Sequence, residues 1–201
     1  MFSKYDVYTE FGSKYCYKNS SVLRNKLGIR DFETLKQAEA DITALKQTYL
    51  LDHPVGGRFT SSHLCHIHRF LFEDVYRFAG HIRTEDIKKG ETTFLSSKDI
   101  SKKLLFLLVK LRQEHYLKNL SVEDFICRIT YYFAELNYIH PFRDGNGRAT
   151  REFVRELVQF NGYEVDWSKV YVTTLLESMV ASIYDTADLE RVLNICITKN
   201  Q

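Results

Sequence analysis

The sequence predicts an all-α domain that carries one β-hairpin. Apolar residues recur at three- and four-residue spacing through most of the chain, which is the pattern of amphipathic helices. Only two prolines, Pro54 and Pro141, interrupt the 201 residues. One stretch, 82–95, instead places short extended arms on either side of a turn-forming centre. These three observations together favour a helical bundle with a single hairpin.

The apolar pattern divides the chain into eight predicted helices. The segment 121–139 is the clearest, because Ser121 can cap it and Asp124 completes a capping box. Pro141 ends this helix, since its ring disfavours helical geometry at His140. The predicted helices span 20–27, 31–51, 60–78, 97–117, 121–139, 147–161, 167–183 and 187–198.

Length, composition and charge indicate one ordinary globular domain. A chain of 201 residues can bury a sizeable core, and its 44% hydrophobic and 27% charged residues are usual for such a domain. The net charge of +2 is too small to indicate nucleic-acid binding as the main activity. No apolar segment is long enough to cross a bilayer, and residues 1–6 lack the apolar run of a signal peptide. We therefore expect a cytoplasmic protein with no direct nucleic-acid or membrane partner.

The cysteines and a group of three histidines do not have the spacing of metal ligands. The cysteines are scattered, which indicates reduced thiols in a cytosolic protein. The histidines fall on different faces of one predicted helix, so a zinc site there is disfavoured. These residues are Cys16, Cys65, Cys127 and Cys196, and His63, His66 and His68.

A turn at residues 145–147 has the composition of an anion-binding site. Gly145, Asn146 and Gly147 tolerate positive φ, and successive N–H groups in such a turn can converge into a nest. The turn opens the predicted helix 147–161, and a helix N-terminus favours phosphate through its free N–H groups and its dipole.

Charged and titratable residues surround this turn. A neutral His140 at the helix-to-loop junction can accept a proton near physiological pH. Asp144 suits magnesium, which binds one carboxylate together with substrate phosphates. Arg148, Arg151 and Arg155 share one face of the helix, the first two beside the nest. Each element alone is common in ordinary loops, but in this order they indicate a nucleoside triphosphate site.

The stretch from His140 to Arg151, HPFRDGNGRATR, resembles the signature of the Fic family, H-P-F-x-[D/E]-G-N-G-R-x-x-R, at every fixed position. The resemblance covers about residues 20–200. It includes the segment ahead of the family's flap (72–80), the flap hairpin (83–94), the N-terminal entry (22–29) and a turn at Asp188-Leu189. It implies an N-terminal extension at 1–19 and a Fic domain at 20–201. The implied Fic fold is a helical bundle with a β-hairpin flap over the active site.

The resemblance implies transfer of AMP from ATP to a Tyr, Thr or Ser hydroxyl of a target protein, with release of pyrophosphate. His140 would be the general base, Phe142 would anchor the loop, and Asp144 would hold Mg²⁺. The remaining nucleotide contacts implied are Gly145, Asn146 and Gly147 as the phosphate nest, Arg148 and Arg151 on the β- and γ-phosphates, and Lys89 and Gly90 from the flap.

The hairpin at 82–95 is expected to dock the target protein. In the family this flap pairs with an extended target segment, which fixes the position of the acceptor hydroxyl through backbone hydrogen bonds. Without the motif at His140, an ordinary surface hairpin would be the simpler interpretation. The residues expected to dock the target are Ile87, Lys88, Glu91, Thr92, Thr93 and Phe94.

Other activities of the same site are disfavoured to different degrees. The related Doc kinases carry Lys where Gly147 stands, so phosphotransfer is disfavoured. Removal of AMP requires an inhibitory Glu, and none is clear. Phosphocholine transfer stays open, because details of the pocket and flap choose the donor. A non-catalytic binding module is disfavoured because His140, Asp144 and both motif arginines are present.

Many Fic proteins are restrained by a helix with the pattern [S/T]-x-x-x-E-[G/N], whose Glu pairs with the second motif arginine, here Arg151. Thr173 to Ser178 has the spacing but ends in Ser, and Thr186 to Glu190 is followed by Arg191. We therefore expect a member without an intrinsic inhibitor, restrained by a separate small antitoxin protein. Self-association into a homo-oligomer is frequent in the family and stays open here.

Overall fold

The computed structural model describes residues 13–90 and 92–199, which form seven α-helices and two antiparallel two-stranded sheets. This architecture confirms the all-α class. The helices are α1 (Phe32–Asp52), α2 (Ser61–Phe72), α3 (Ile100–Gln113), α4 (Val122–Ile139), α5 (Asn146–Phe160), α6 (Val172–Ala181) and α7 (Ala187–Cys196). The strands are β1 (Lys88–Lys89), β2 (Thr92–Thr93), β3 (Tyr163–Val165) and β4 (Ile197–Lys199).

Helix α4 lies at the centre of the bundle and packs against α3, α5 and α7. Its apolar residues, among them Phe125, Ile129 and Phe133, are buried. The predicted N-cap is confirmed, because the Ser121 hydroxyl accepts the N–H of Asp124 at 3.1 Å and donates to its carboxylate at 2.9 Å. The helix therefore begins at a fixed point and delivers His140 at its other end.

A buried arginine, paired with a glutamate of its own helix, ties α5 to the end of α1. The Arg155 guanidinium donates to the Leu50 carbonyl at 2.8 Å and to the Glu152 carboxylate at 2.8 and 2.7 Å. Both charged side chains are buried. Arg155 shares a helix face with the two motif arginines in sequence, but its contacts make it part of the scaffold.

The predicted helix at 20–27 is wrong. Leu23 instead forms an isolated antiparallel bridge with Cys16. The Asn25 side chain donates to the carbonyls of Leu23 and Ile29 and accepts the N–H of Ile29 at 3.0 Å. Such local bonds from an amide side chain compete with a helical backbone, and here they form a turn.

Several other predicted helices extend too far. The segment 60–78 is helical only to Phe72, and 97–117 only to Gln113. The segment 167–183 begins with a single 3-10 turn before α6, and 187–198 ends at Cys196. There β4 begins and pairs with β3, which adds a second sheet that the sequence analysis missed. Three-residue strands joined across more than thirty positions leave no local periodicity to detect.

The first described residues pack against the chain just before the flap. The Ser13 hydroxyl and the Lys14 N–H donate to the Glu85 carboxylate at 2.7 and 2.8 Å. Residues 1–12 lie outside the described part of the chain, so the boundary at residue 20 stays a prediction. Between residues 13 and 199, Glu91 apart, no helix is long and apolar enough to span a bilayer.

Replacing Arg155 with Met should lower the free energy of unfolding by about 3 kcal/mol, because it leaves the Glu152 carboxylate buried without its partner. Urea denaturation measures this change. The exposed pair of Arg191 and Asp188 provides the control, and Arg191→Met should cost less than about 1 kcal/mol. A double replacement of Glu152 and Arg155 by Met should recover most of the loss. Equal losses for Arg155→Met and Arg191→Met would contradict a structural role for the buried pair.

Candidate active site

His140 caps the C-terminus of α4 in the left-handed region, with φ 45° and ψ 63°. Its N–H donates to the Leu136 carbonyl at 3.1 Å, and its Nδ1 lies 3.0 Å from the Asn137 carbonyl oxygen. Because a carbonyl only accepts, Nδ1 carries the hydrogen and Nε2 keeps a lone pair. The backbone thus fixes both the orientation and the tautomer of the imidazole.

The flap covers the other face of this imidazole. The Phe94 ring stacks on His140 with ring centroids 3.7 Å apart and an angle of 15° between the planes. His140 is only 8% exposed. Burial, with smaller contributions from the charges of Lys89 and Arg83, lowers the pKa of His140 to about 3, although the hydrogen bond to the Asn137 carbonyl opposes this shift. The imidazole is therefore neutral at physiological pH and can act as a base.

The loop after His140 is closed by a side-chain amide. The Asn146 Oδ1 accepts the Phe142 N–H at 2.7 Å, and its Nδ2 donates to the Phe142 carbonyl at 2.8 Å. Asn146 is buried, and both polar atoms of its amide bond the backbone of the loop. The Phe142 ring is fully buried and stacks on His68 at 3.8 Å between centroids.

His68 is a site residue that the sequence analysis did not identify. Its Nδ1 accepts the Gly80 N–H at 2.8 Å, so its Nε2 carries the hydrogen and donates to the Asp144 carbonyl at 2.9 Å. Burial lowers the pKa of His68 to about 3. This neutral ring joins α2, the pre-flap segment and the motif loop. The spacing of the histidines in α2 did not indicate that His68 would join these segments.

Gly145 is required where it stands for two reasons. Its φ of +76° lies in the left-handed region, and a Cβ there would lie 2.3 Å from atoms of the Phe72 ring. Helix α5 begins at the next residue, and the first N–H groups of a helix have no intrahelical partner. Asn146 and Gly147 already belong to the first turn of α5, so their N–H groups lie at the positive end of its dipole, whereas the Gly145 N–H donates to the Asp144 carboxylate.

Asp144 lies at the edge of this turn and is partly exposed. One of its carboxylate oxygens accepts the Gly145 N–H at 2.6 Å. No group of three or more His, Cys, Asp or Glu side chains that could hold a metal occurs among residues 13–90 and 92–199. A single carboxylate nevertheless fits Mg²⁺, which takes its other ligands from phosphates and water.

The two motif arginines have different surroundings. Arg148 donates to the Glu39 carboxylate and, at 3.0 Å, to the Thr43 hydroxyl, both on α1. Arg151 makes no hydrogen bond or ion pair within the described part of the chain, and its Nη1 lies 3.3 Å from where a Cβ on Gly147 would stand. Burial and the charge of Arg148 lower the pKa of Arg151 to about 10, so it remains a cation. Within the described residues, the Arg151 guanidinium is therefore a positive charge beside the turn that no carboxylate neutralises.

Glu39, which the sequence analysis also missed, holds Arg148 within a buried network. Its carboxylate also accepts the hydroxyl hydrogen of Tyr76. Burial raises the pKa of Glu39, and the nearby Asp144 raises it too, while Arg148 and Tyr76 oppose this shift. Arg148 also lies over the Phe72 ring, 4.5 Å from its centroid. The first motif arginine is thus part of the scaffold as well as of the site.

The hairpin at 82–95 forms as β1 and β2, with Lys88 paired to Thr93 and Lys89 to Thr92. Its side chains alternate between buried and exposed positions. Ile87, Thr92 and Phe94 are buried; Lys88, Gly90 and Thr93 are exposed; and Lys89 is intermediate. Glu91, which was expected to dock the target, lies outside the described residues.

Comparisons with known proteins agree with this geometry. The model of the Fic/DOC family matches residues 58–158. The chain belongs to the Fic/DOC family. The predicted family and the predicted Fic fold are therefore confirmed.

Among the relatives of this Fic chain, the probable protein adenylyltransferase Fic of Salmonella typhimurium is 37% identical over 84% of this chain and 84% of its own length. The protein adenylyltransferase VbhT of Bartonella schoenbuchensis is 34% identical over 87% of this chain, which spans 37% of VbhT. The structure of BepC from Bartonella tribocorum with bound AMPPNP matches with a TM-score of 0.88 and 27% identity. That match covers 96% of this chain and 100% of the BepC chain in that structure.

Two buried histidines make the stability of this Fic domain depend on pH. The unfolded imidazole has a pKa of about 6.5, above the folded value of about 3 for His68 and His140. Between these values the unfolded state binds more protons, so the free energy of unfolding falls as pH falls. At pH 5.5 each histidine should cost about 1 kcal/mol relative to pH 7.5.

Urea denaturation across this pH range measures the effect. His68→Asn should make the dependence shallower than in the wild type, because it removes one of the two imidazoles whose pKa is lowered by burial. His66→Asn is the control, because His66 is exposed on the same helix, and it should leave the dependence unchanged. An unchanged dependence in His68→Asn would show that His68 does not contribute.

Proposed function

We propose that His140, the turn at 145–147 and Arg151 carry out AMP transfer in this chain, which is a protein adenylyltransferase of the Fic family. The activity follows from relatives of that name, which match most of the chain. The observation that supports the residue roles is the His140 imidazole, which the Asn137 carbonyl holds in the tautomer with its hydrogen on Nδ1, so that Nε2 is the basic nitrogen. A base in this state is what activation of a hydroxyl requires.

In the proposed reaction, Nε2 of His140 takes the proton of the target hydroxyl. The hydroxyl oxygen then forms a bond to the α-phosphorus of ATP. The bond from this phosphorus to its bridging oxygen breaks, and pyrophosphate leaves with the electron pair. The negative triphosphate beside His140 would raise the pKa of His140 from its low value in the free site, so the base would be stronger when ATP is bound.

The positive groups beside the turn would stabilise the charge that develops on the phosphates. Free N–H groups at the start of α5 would receive the α- and β-phosphates. Arg151 would bind the β- and γ-phosphates, because none of its donors is used within the described residues. Arg148 would add only those donors that Glu39 and Thr43 leave free. Asp144 would hold Mg²⁺, which when bound supplies positive charge to the phosphate oxygens.

The flap would place the target. Lys89 and Gly90 at its tip would contact the nucleotide, while backbone pairing along the hairpin aligns an extended target segment. Ile87, Thr92 and Phe94 are buried, whereas the side chains of Lys88 and Thr93 are exposed to solvent. Recognition through the backbone would place the acceptor hydroxyl without requiring one target sequence.

Regulation by a separate antitoxin is also part of the proposal. Glu177, the acidic residue with the expected spacing, is exposed on α6, and Arg151 has no acidic partner among residues 13–90 and 92–199. A carboxylate supplied by a second protein would then pair with Arg151. Self-association and a cytoplasmic location stay predictions.

ATP labelled at the α-phosphate should transfer its label to protein in the presence of Mg²⁺, while ATP labelled at the γ-phosphate should not. The pure chain and a cell lysate supplemented with it provide the acceptors. His140→Ala should reduce transfer by about 100-fold or more, because the general base is removed. His66→Ala, on an exposed face of α2, is the control and should transfer normally. Label from the γ-phosphate on protein would mean phosphotransfer, against the argument from Gly147.

Glu177→Gly should leave the rate of AMP transfer close to that of the unmodified chain, because Glu177 is exposed on α6 and forms no ion pair with Arg151 among the described residues. The same labelling assay, with the pure chain, measures this rate. Glu190→Gly tests the second segment with this spacing and should also have little effect. A large activation by either change would show that the chain carries its own inhibitor.

A further inference from the structure

Arg83 is among the largest side chains that are fully buried, with 1% of its surface exposed. Its guanidinium donates to backbone carbonyls from three separate stretches of chain. Nε reaches the His140 carbonyl at 2.8 Å, and Nη1 reaches the Glu85 carbonyl at 2.6 Å. Nη2 reaches the Leu95 carbonyl at 2.5 Å and the Ile139 carbonyl at 3.4 Å. One side chain therefore joins both legs of the flap to the end of α4.

These three stretches must be aligned for the proposed reaction. Glu85 leads into the flap, and Leu95 leaves it directly after Phe94, whose ring stacks on His140. The Leu95 N–H also donates to the Tyr138 carbonyl at 3.2 Å. A movement of either flap leg would shift the Phe94 ring and the base together.

The end of α4 also requires these donors. The last carbonyls of a helix have no intrahelical partner and carry partial negative charge. Here every carbonyl from residue 136 to residue 141 is bonded. The partners are His140 N–H for Leu136, His140 Nδ1 for Asn137, Leu95 N–H for Tyr138, the Arg83 guanidinium for Ile139 and His140, and Arg83 N–H for Pro141.

We propose that Arg83 is a positioning residue for AMP transfer, which holds the two flap legs and the His140 backbone at a fixed separation. This inference rests on the proposed roles of His140 and of the flap. The Arg83 side chain bonds none of the residues of the phosphate turn at 145–147. Its effect should therefore fall on the rate of transfer and not on the affinity for ATP. The planar fork of arginine can span these carbonyls, whereas the single ammonium of lysine cannot.

Arg83→Lys tests this role because it keeps the charge and removes the fork. The rate of label transfer from α-labelled ATP to protein should fall about 100-fold, as expected for a misplaced base and acceptor. The Kd for ATP, measured by calorimetry, should stay at the wild-type value. Arg155→Lys is the matched control, because Arg155 is also buried and donates to the Leu50 carbonyl away from the flap. The control should lose stability but keep its rate at a temperature where it is folded.

Hydrogen exchange gives a readout that does not need activity. Amides in 84–90 and 92–96 should exchange faster in Arg83→Lys, while those of α5 should not change. If the wild type transfers no AMP, the proposed function fails. Hydrogen exchange still tests whether the Arg83 hydrogen bonds hold the two legs of the flap. Unchanged flap exchange in a folded Arg83→Lys, or a wild-type rate of transfer, would overturn the inference.

If Arg83→Lys does not fold, Arg83→Gln provides the same measurements, because it avoids a buried lysine charge. Its amide reaches fewer carbonyls than the arginine fork, so the same loss of rate and faster flap exchange are expected. A loss of ATP affinity equal to the loss of rate, in either variant, would assign Arg83 to general stability instead.

Discussion

The C-terminus of α4 is the constraint on which the rest of the site depends. A helix that ends inside a protein must find partners for its last carbonyls, because water does not reach them. In this chain the partners are the predicted base, the departing leg of the flap and a buried arginine. The left-handed backbone at His140 allows this arrangement and brings its Nδ1 to the Asn137 carbonyl. Satisfying the backbone and positioning the base are therefore the same set of hydrogen bonds.

A second set of buried polar groups holds the backbone of the turn at residues 145–147 and the residues next to it. The Asn146 amide closes the loop on itself, and neutral His68 ties the Asp144 carbonyl to the pre-flap segment. The pair of Glu39 and Arg148 joins α1 to the first turn of α5. Buried polar groups are costly unless they are bonded. Because each of these contacts is specific in direction, the loop has one low-energy arrangement.

The sequence predicted the parts of the fold and site that depend on local pattern. The cap at Ser121, the helix end before Pro141 and the glycine turn follow from rules that act over a few residues, so they could be read directly. The motif at residues 140–151 also predicted membership of the Fic family. Glu39, His68 and Arg83 could not be found in this way, because each acts on residues far along the chain. The Asn25 turn and the β3–β4 pairing were missed since their stability comes from contacts that helical periodicity does not record.

The contact between the first described residues and Glu85 has a practical consequence. Ser13 and Lys14 support the leading leg of the flap from outside, while Arg83 holds the same leg from within. Residues 13 and 14 are thus hydrogen-bonded directly to the leading leg of the hairpin. We therefore expect an affinity tag placed just before residue 13, or a shortened chain that begins after residue 14, to disturb the flap even though it leaves every motif intact.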